Sequence, residues 1–386
     1  MKKIISLLFV ILVSTNFAYS KEIDSAKQAM VDSIKHSISP GAGNIQNERS
    51  PNRSWIWQSE IEPYDTGWGL YIDNDLFTLR QEDQDYTGGF SLTLAGQRAI
   101  EYPISLDPIL EKMDAFTGFS DIKDRSDRQL HSLEVGFTVF TPDAIDDLAM
   151  QSGDRPYATI LYLSNTEESI DLENDTAWIS SFSLGILGSP LISELQTELH
   201  DLLGSDTPVG WSNQISDGGE LTFKYSVAKQ SLLDFEYSEE RNYEISTTKQ
   251  LSVGYITEAT FGIAGRIGKF QSPWYSFRPQ FNDYSEKSAS LVGLSQNQEE
   301  FYFWGGINLH VRAYNALLQG QFKDSAVTYE ADEIQNLVAE GWIGVTKQFQ
   351  SGWRLSYLLR AQTSEVKIGK ADRNVYWGGI ILSKGW

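Results

Sequence analysis

The sequence predicts an all-β fold: a transmembrane antiparallel β-barrel of about twelve strands, with a short α-helix in an extracellular loop. Three observations carry that expectation. Segments of roughly ten residues alternate apolar with small or polar side chains, the dyad pattern of strands with lipid on one face and a lumen on the other. The chain opens with an export signal and stops on an aromatic residue, Trp386, at the end of a strand-like segment. Trp and Tyr recur near strand ends at Trp68, Trp178, Trp342, Trp353 and Trp377, as interfacial girdles require.

Composition removes other classes. Among 386 residues there is no cysteine, which excludes disulfide frameworks, thiolate zinc sites and cysteine nucleophiles. A net charge of −21 argues against a nucleic-acid partner, since phosphate binding needs a basic face. With 41% hydrophobic and 22% charged residues, the chain folds rather than remaining disordered.

Taken in order, residues 1–20 read as a secretory signal peptide. Lys2 and Lys3 form a basic start, Ile4 to Val13 an apolar run broken by Ser6, and Ala18-Tyr19-Ser20 a small-residue cleavage site. The run is too short for a spanning helix, which needs about 20 apolar residues. Residues 21–66 form a polar N-terminal extension, with His36 inside it. The barrel is expected over 67–386, with strands near 67–75, 86–96, 131–141, 155–165, 176–187, 219–229, 245–257, 258–267, 300–313, 335–348, 352–363 and 374–386. The clearest is the ninth: Phe301, Phe303, Ile307, Leu309 and Val311 alternate with Tyr302, Trp304, Asn308, His310 and Arg312. The long segment 97–130 holds a short helical stretch, Asp107–Ala115, and reads as structural. If the first strand starts in the periplasm, the connections at 76–85, 142–154 and 188–218 lie outside the cell. They hold the unusual chemistry.

The first such cluster is Asp73-Asn74-Asp75, with Asp85-Tyr86-Thr87-Gly88-Gly89 opening the second strand. Strand parity puts Asp75 and Thr87 on the lumen-type face. Their carboxylate, amide and hydroxyl oxygens would suit a hard cation such as calcium; the same residue types also punctuate ordinary turns. In the third outer loop, Ser189-Pro190 reads as a cap with proline at the first helical position, and Gly204 as the stop. Leu191, Leu195, Leu199 and Leu202 form an apolar stripe expected to cover the barrel mouth. Gln196 and His200, four apart, share another face. His200 is then either a general base beside an amide or an exposed helix histidine without a role. No serine-nucleophile elbow, phosphate loop, zinc-helix or dinucleotide motif occurs.

These residues resemble those of the outer-membrane lipid A 3′-O-deacylase family (LpxR-like). The matching pieces are Asn74-Asp75; Asp85-Tyr86-Thr87-Gly88; Phe140-Thr141-Pro142 followed by Gly153-Asp154-Arg155-Pro156-Tyr157-Ala158; Leu184 to Gly188; Gln196 to His200; and Gly210-Trp211-Ser212-Asn213-Gln214. The resemblance implies a twelve-stranded barrel with its site between the outer rim and a loop helix. The family's catalytic histidine falls on His200, its Asn-Asp pair on Asn74 and Asp75, its site threonine on Thr87 and its helix glutamine on Gln196. Asn74, Asp75 and Thr87 would be the ligands of a calcium ion. Asp206 stands where the family has a glutamate. The second outer loop departs from the family pattern: Asp143–Met150 is acidic where a basic pair is expected, and Arg155 is the cation left to meet a substrate phosphate.

The implied activity is removal of an ester-linked acyl chain from lipid A of lipopolysaccharide in the outer membrane. His200 would act as base and a divalent cation would stabilise the oxyanion. Other readings are a catalytically silent barrel serving as a pore or surface-interaction protein, a barrel phospholipase with a serine nucleophile, and a soluble exported binding protein. No histidine–serine pair on adjacent strands supports the phospholipase, and nothing in the sequence fixes an oligomeric state.

Overall fold

The computed structural model describes residues 62–78, 85–123, 126–203, 206–237, 242–281, 284 and 299–385, all within one compact unit, residues 50–386. The signal peptide, His36, the extension up to residue 61, Gly204 and Trp386 lie outside the described residues.

Twelve antiparallel strands close into a barrel. They are β1 (Gly67–Asn74), β2 (Asp85–Ala95), β3 (Arg128–Thr141), β4 (Ala158–Asp171), β5 (Thr176–Leu187), β6 (Glu220–Tyr237), β7 (Asn242–Gly254), β8 (Ile256–Lys269), β9 (Glu300–Asn315), β10 (Leu337–Gln348), β11 (Trp353–Gln362) and β12 (Val375–Gly385). Each strand pairs with its sequence neighbour. Closure comes from β1 against β12, in register from Gly67↔Gly385 to Asn74↔Gly378. No edge is left to pair with another chain. The helices are α1 (Arg98–Glu101), α2 (Asp107–Thr117), α3 (Ser120–Lys123), α4 (Pro190–Leu203) and α5 (Ala316–Gln319). None is long and apolar enough to cross a membrane. The connections after odd-numbered strands emerge at one rim, called the α4 end; those after even-numbered strands emerge at the other, the terminus end.

The dyad pattern sorts the two faces as expected for β9. Phe301, Phe303, Ile307, Leu309 and Val311 are exposed on the exterior, while Tyr302, Trp304, Asn308, His310 and Arg312 are buried. Leu251, Val253, Phe261, Ile263, Ile343 and Leu355 continue that apolar exterior. Two of the expected girdle residues differ. Trp342 and Trp377 face the lumen, under the Arg360 guanidinium and against Tyr86 respectively. Trp68 and Trp353 meet edge-on at 5.5 Å.

The lumen is not simply small and wet. The segment 270–281, from the β8–β9 connection, runs inside it. Arg266 donates to the Ser272 hydroxyl, Gln230 to the Phe277 carbonyl, Arg360 to the Pro279 carbonyl and Asn308 to the Gln280 carbonyl. Tyr284, from the same connection, reaches Thr138, Phe140 and Tyr86 near the α4 end. Around this segment, charges pair: Glu244–Arg266 at 2.7 Å, Glu300–Arg354 at 2.9 Å, Glu258–Arg312 at 2.7 Å and Glu340–Arg360 at 2.5 Å. Burying charge is tolerable only with such pairing.

The fourth strand runs over 158–171 instead of the expected 155–165. Its second half, Ser164-Asn165-Thr166-Glu167-Glu168, has no apolar face because protein covers both sides. Glu167 meets Lys123 on the exterior, and Glu168 meets Arg278 from the lumen segment.

Candidate active site

At the α4 end of the exterior face, short polar side chains from four consecutive strands stand in a row. Asn74 ends β1, and its Nδ2 donates to the Thr87 carbonyl at 2.6 Å. The Thr87 hydroxyl shares a hydrogen bond with that of Thr141, at the end of β3, at 2.6 Å. On β4, Thr159 donates to Gln214 Oε1 at 3.3 Å.

Parity placed Thr87 toward the lumen; the structure turns it the other way. A bulge between Tyr86 and Gly88 shifts the β2 register. Tyr86 therefore points inward, where its hydroxyl donates to Asp73 at 2.7 Å, and Thr87 points out. Its partner Thr141 follows Phe140, which packs on Tyr284 inside the barrel, so alternation sets Thr141 outside. Asp75 lies past the end of β1, opening a 3-10 turn, so strand parity assigns it no face; it is buried, and its carbonyl accepts the amide and hydroxyl of Thr78.

The helix α4 lies over β3 and β4 rather than over the barrel mouth. Its start follows from Ser189-Pro190, and Gly188 sets its direction. Gly188 adopts φ +67°, its amide donates to the Thr159 carbonyl, and a Cβ there would come within 2.2 Å of the Ser216 carbonyl. The buried face of α4 is polar: Ser193, Gln196 and His200, with Ile192 beside them. Leu191 and Leu199 are exposed, the reverse of the expected orientation. The reversal has a physical cause. The outside of a barrel wall meets lipid, so a helix lying on it turns apolar residues outward and shelters polar ones beneath.

His200 is held on one ring nitrogen. Its Nδ1 lies 2.7 Å from the Asp206 backbone carbonyl, so that nitrogen carries the proton in the neutral ring. Nε2 is thereby the basic nitrogen, and it lies 3.5 Å from Gln196 Nε2. Gln196 Oε1 is buried without a hydrogen-bond partner among the described residues. Asp206 acts on the histidine through its backbone, and its side chain is exposed. The loop carrying it is braced by Tyr157, whose ring packs on Trp211 at 4.7 Å and whose carbonyl accepts the Ile215 amide. Gly210 permits that approach, because a Cβ there would sit 2.4 Å from the Tyr157 ring.

The expected site residues therefore fall into two groups on the same exterior rim. Asn74 and Thr87 meet directly, as do Gln196 and His200, and β3 lies between the groups, touching Thr87 through Thr141 and α4 from above. Arg155 does not join them. It is buried on the lumen side, its guanidinium 4.0 Å from the Phe140 ring centroid and 2.6 Å from Glu365. Thr141, Thr159 and Gln214 were given no role by sequence reasoning, although Thr141 and Gln214 sit in the matching family blocks.

Asn74, Asp75 and Thr87 present oxygen donors at one corner of the rim, a chemistry that fits a hard cation. The Asn74 amide nitrogen donates to the Thr87 carbonyl, which holds the two residues together at that corner. A different trio, Asp107, His131 and Glu167, has ligand atoms within 4.8 Å of one another, but at the terminus end. There His131 pairs with Glu62 at 2.8 Å and Glu167 with Lys123, so ion pairing accounts for that group.

The structure is similar to that of LpxR from Salmonella typhimurium, with a TM-score of 0.64 and 15% identity, covering 83% of this chain and 100% of that one. Weaker likenesses are to the β domain of the Bordetella autotransporter BrkA (TM-score 0.40, 7% identity, 84% of this chain and 100% of that) and the translocator domain of NalP from Neisseria meningitidis (0.36, 7%, 96% and 99%). No curated protein matches the chain. The family described as outer membrane protein LpxR matches residues 47–386, and the chain belongs to that family.

Proposed function

We propose that the protein is a lipid A deacylase of the outer membrane, hydrolysing an ester-linked acyl chain at the rim between α4 and the barrel wall. The α4 end faces the cell exterior in this reading, and the terminus end the periplasm. The observation that carries it is the burial of His200 and Gln196 on the wall side of a helix whose Leu191 and Leu199 face outward. In this reading a lipid approaching from the side would bring an ester bond to that buried base.

In the neutral state, His200 donates Nδ1–H to the Asp206 carbonyl and accepts at Nε2. A water there loses its proton to Nε2 while its oxygen bonds to the ester carbonyl carbon. The ester C–O bond then breaks, and the proton on Nε2 passes to the departing sugar oxygen, which leaves as a hydroxyl. The Gln196 amide orients the water. A divalent cation held by Asn74, Asp75 and Thr87 would supply positive charge for the developing oxyanion. That source is needed because Arg155 is engaged by Glu365 on the other face of the wall. The acidic loop Asp143–Met150 suits a substrate with less phosphate than one met by a basic pair.

The packed lumen supports this reading over a pore, since the charges lining it are taken up by one another and by the segment 270–281. Purified protein mixed with lipid A in detergent should release free fatty acid in the presence of calcium. Excess chelator should abolish release, and added calcium should restore it. Full activity in chelator would reject the cation-assisted route.

A further inference from the structure

On the side of the barrel formed by β3–β6, the exterior wall near the terminus end is not apolar. Asn165, Glu167 and Ser180 point out of the barrel there. On β5, Ala177 and Ile179 pack inward on Trp274 and Tyr275, so the alternating Ser180 faces the other way. These polar wall residues are sealed by residues 96–123, which fold back onto the wall. Asn165 accepts from the Leu106 amide at 2.8 Å and donates to the Ala99 carbonyl at 3.2 Å. Asp114 of α2 takes hydrogen bonds from Ser180 at 2.8 Å and Tyr225 at 2.7 Å, and Lys123 of α3 at 2.7 Å. Lys123 also reaches Glu167. Leu110 fills the space against Phe182 and Tyr225.

Among the described residues the opposite face of α2 is exposed, and it carries apolar Pro108, Ile109, Ala115 and Phe116 together with charged Glu111 and Lys112. Phe116 is 87% exposed, Ile109, seven residues earlier on the same stripe, 41%, and Ile104 just before the helix 57%. Lys112 lies between the two on that stripe and is exposed. Strand length shows why this face matters. From Thr159, under the α4 loop, to Asn165, under α1, β4 leaves about 20 Å of uncovered wall at ~3.3 Å per residue. Tilt reduces the height to about 15 Å, against an apolar band of ~25 Å in outer-membrane barrels. On β9 the exposed apolar positions run from Phe301 to Val311, enough for a full band.

We propose that the outer face of α2 completes the lipid-facing band on this side: Phe116 and Ile109 insert among phospholipid acyl chains of the leaflet at the terminus end, with Lys112 reaching their headgroups. The band of strand-borne residues is thus continued by a helix, and the charged cluster of Asp114, Lys123 and Glu167 is kept from hydrocarbon. This surface stands apart from the catalytic reading, and its test does not involve activity.

The absence of native cysteine allows single spin labels. Phe116→Cys and Ile109→Cys full-length proteins would be labelled, folded into phosphatidylethanolamine–phosphatidylglycerol vesicles and checked for heat-modifiable mobility. Phe303→Cys on the barrel exterior serves as the lipid reference and Asp324→Cys in an exposed loop as the water reference. Collision with oxygen should exceed collision with a nickel chelate at positions 109 and 116, as at 303 and opposite to 324. A nickel-accessible label at 116 would overturn the proposal. So would a label shielded from both reagents, which would assign the face to a second copy, another protein or residues 21–61.

Discussion

A His200→Ala protein should fold to the same heat-modifiable barrel and lose about 10²–10⁴-fold of its deacylation rate, the usual cost of removing a general base. Folding should survive because His200 stands on a loop helix laid against the wall and takes no part in the strand ladder. His200→Gln keeps similar bulk without useful basicity and should be equally slow. A folded His200→Ala protein that releases fatty acid at near wild-type rate would show that another group is the base.

Glu365→Ala should destabilise the barrel by roughly 3–5 kcal/mol, the range for removing one partner from a buried ion pair. Its carboxylate holds Arg155 at 2.6 Å, and also Arg312, and accepts from Tyr284 at 2.5 Å. Without it, among the described residues, Arg155 loses its ion-pair partner, Arg312 is left with Glu258 alone, and the Tyr284 hydroxyl loses its acceptor. Burial pushes the Glu365 carboxyl up, but Arg155 and Arg312 outweigh that and hold it down at about 2. A depressed folded value means that the stabilisation is complete above the ordinary glutamate range, ~4.3. It is lost as pH falls from there through about 2. Unfolding followed by gel mobility should therefore show the wild-type advantage over Glu365→Ala at pH 7 and little advantage near pH 2. An equal midpoint for the two proteins at pH 7 would mean that the network contributes nothing net.

Legibility in the sequence followed what lay on each side of a strand. β9 could be read because lipid faces one side and the lumen the other. β4 was displaced because its lower half is covered on both sides, by Lys123 and by Arg278, and carries charge on both. Trp342 and Trp377 read as girdle residues from type and position alone; their burial depends on Arg360 and Tyr86, which reach them from other strands. The segment 270–281 and Tyr284 were invisible because their contacts are long-range, as in the hydrogen bond from Thr138 to Tyr284.

At the site, the residue types were legible and the faces were not. The start of α4 follows from local chemistry at Ser189-Pro190. Its orientation depends on the solvent, and an apolar stripe points inward only if the outside is water. Thr87 was assigned to the wrong face because one bulge residue inverts parity. Arg155 looked available for phosphate until Glu365, 210 positions away, was seen to hold it.

Mass spectrometry of lipid A tests the central claim most directly. Lipid A would be extracted from cells of one Gram-negative strain expressing the wild-type protein, the His200→Ala protein or neither. The wild type alone should produce a species lighter by one hydroxyacyl or acyloxyacyl chain, with the sugar and phosphate masses unchanged. Identical lipid A from all three, with the wild-type protein folded in the outer membrane, would contradict the deacylase assignment.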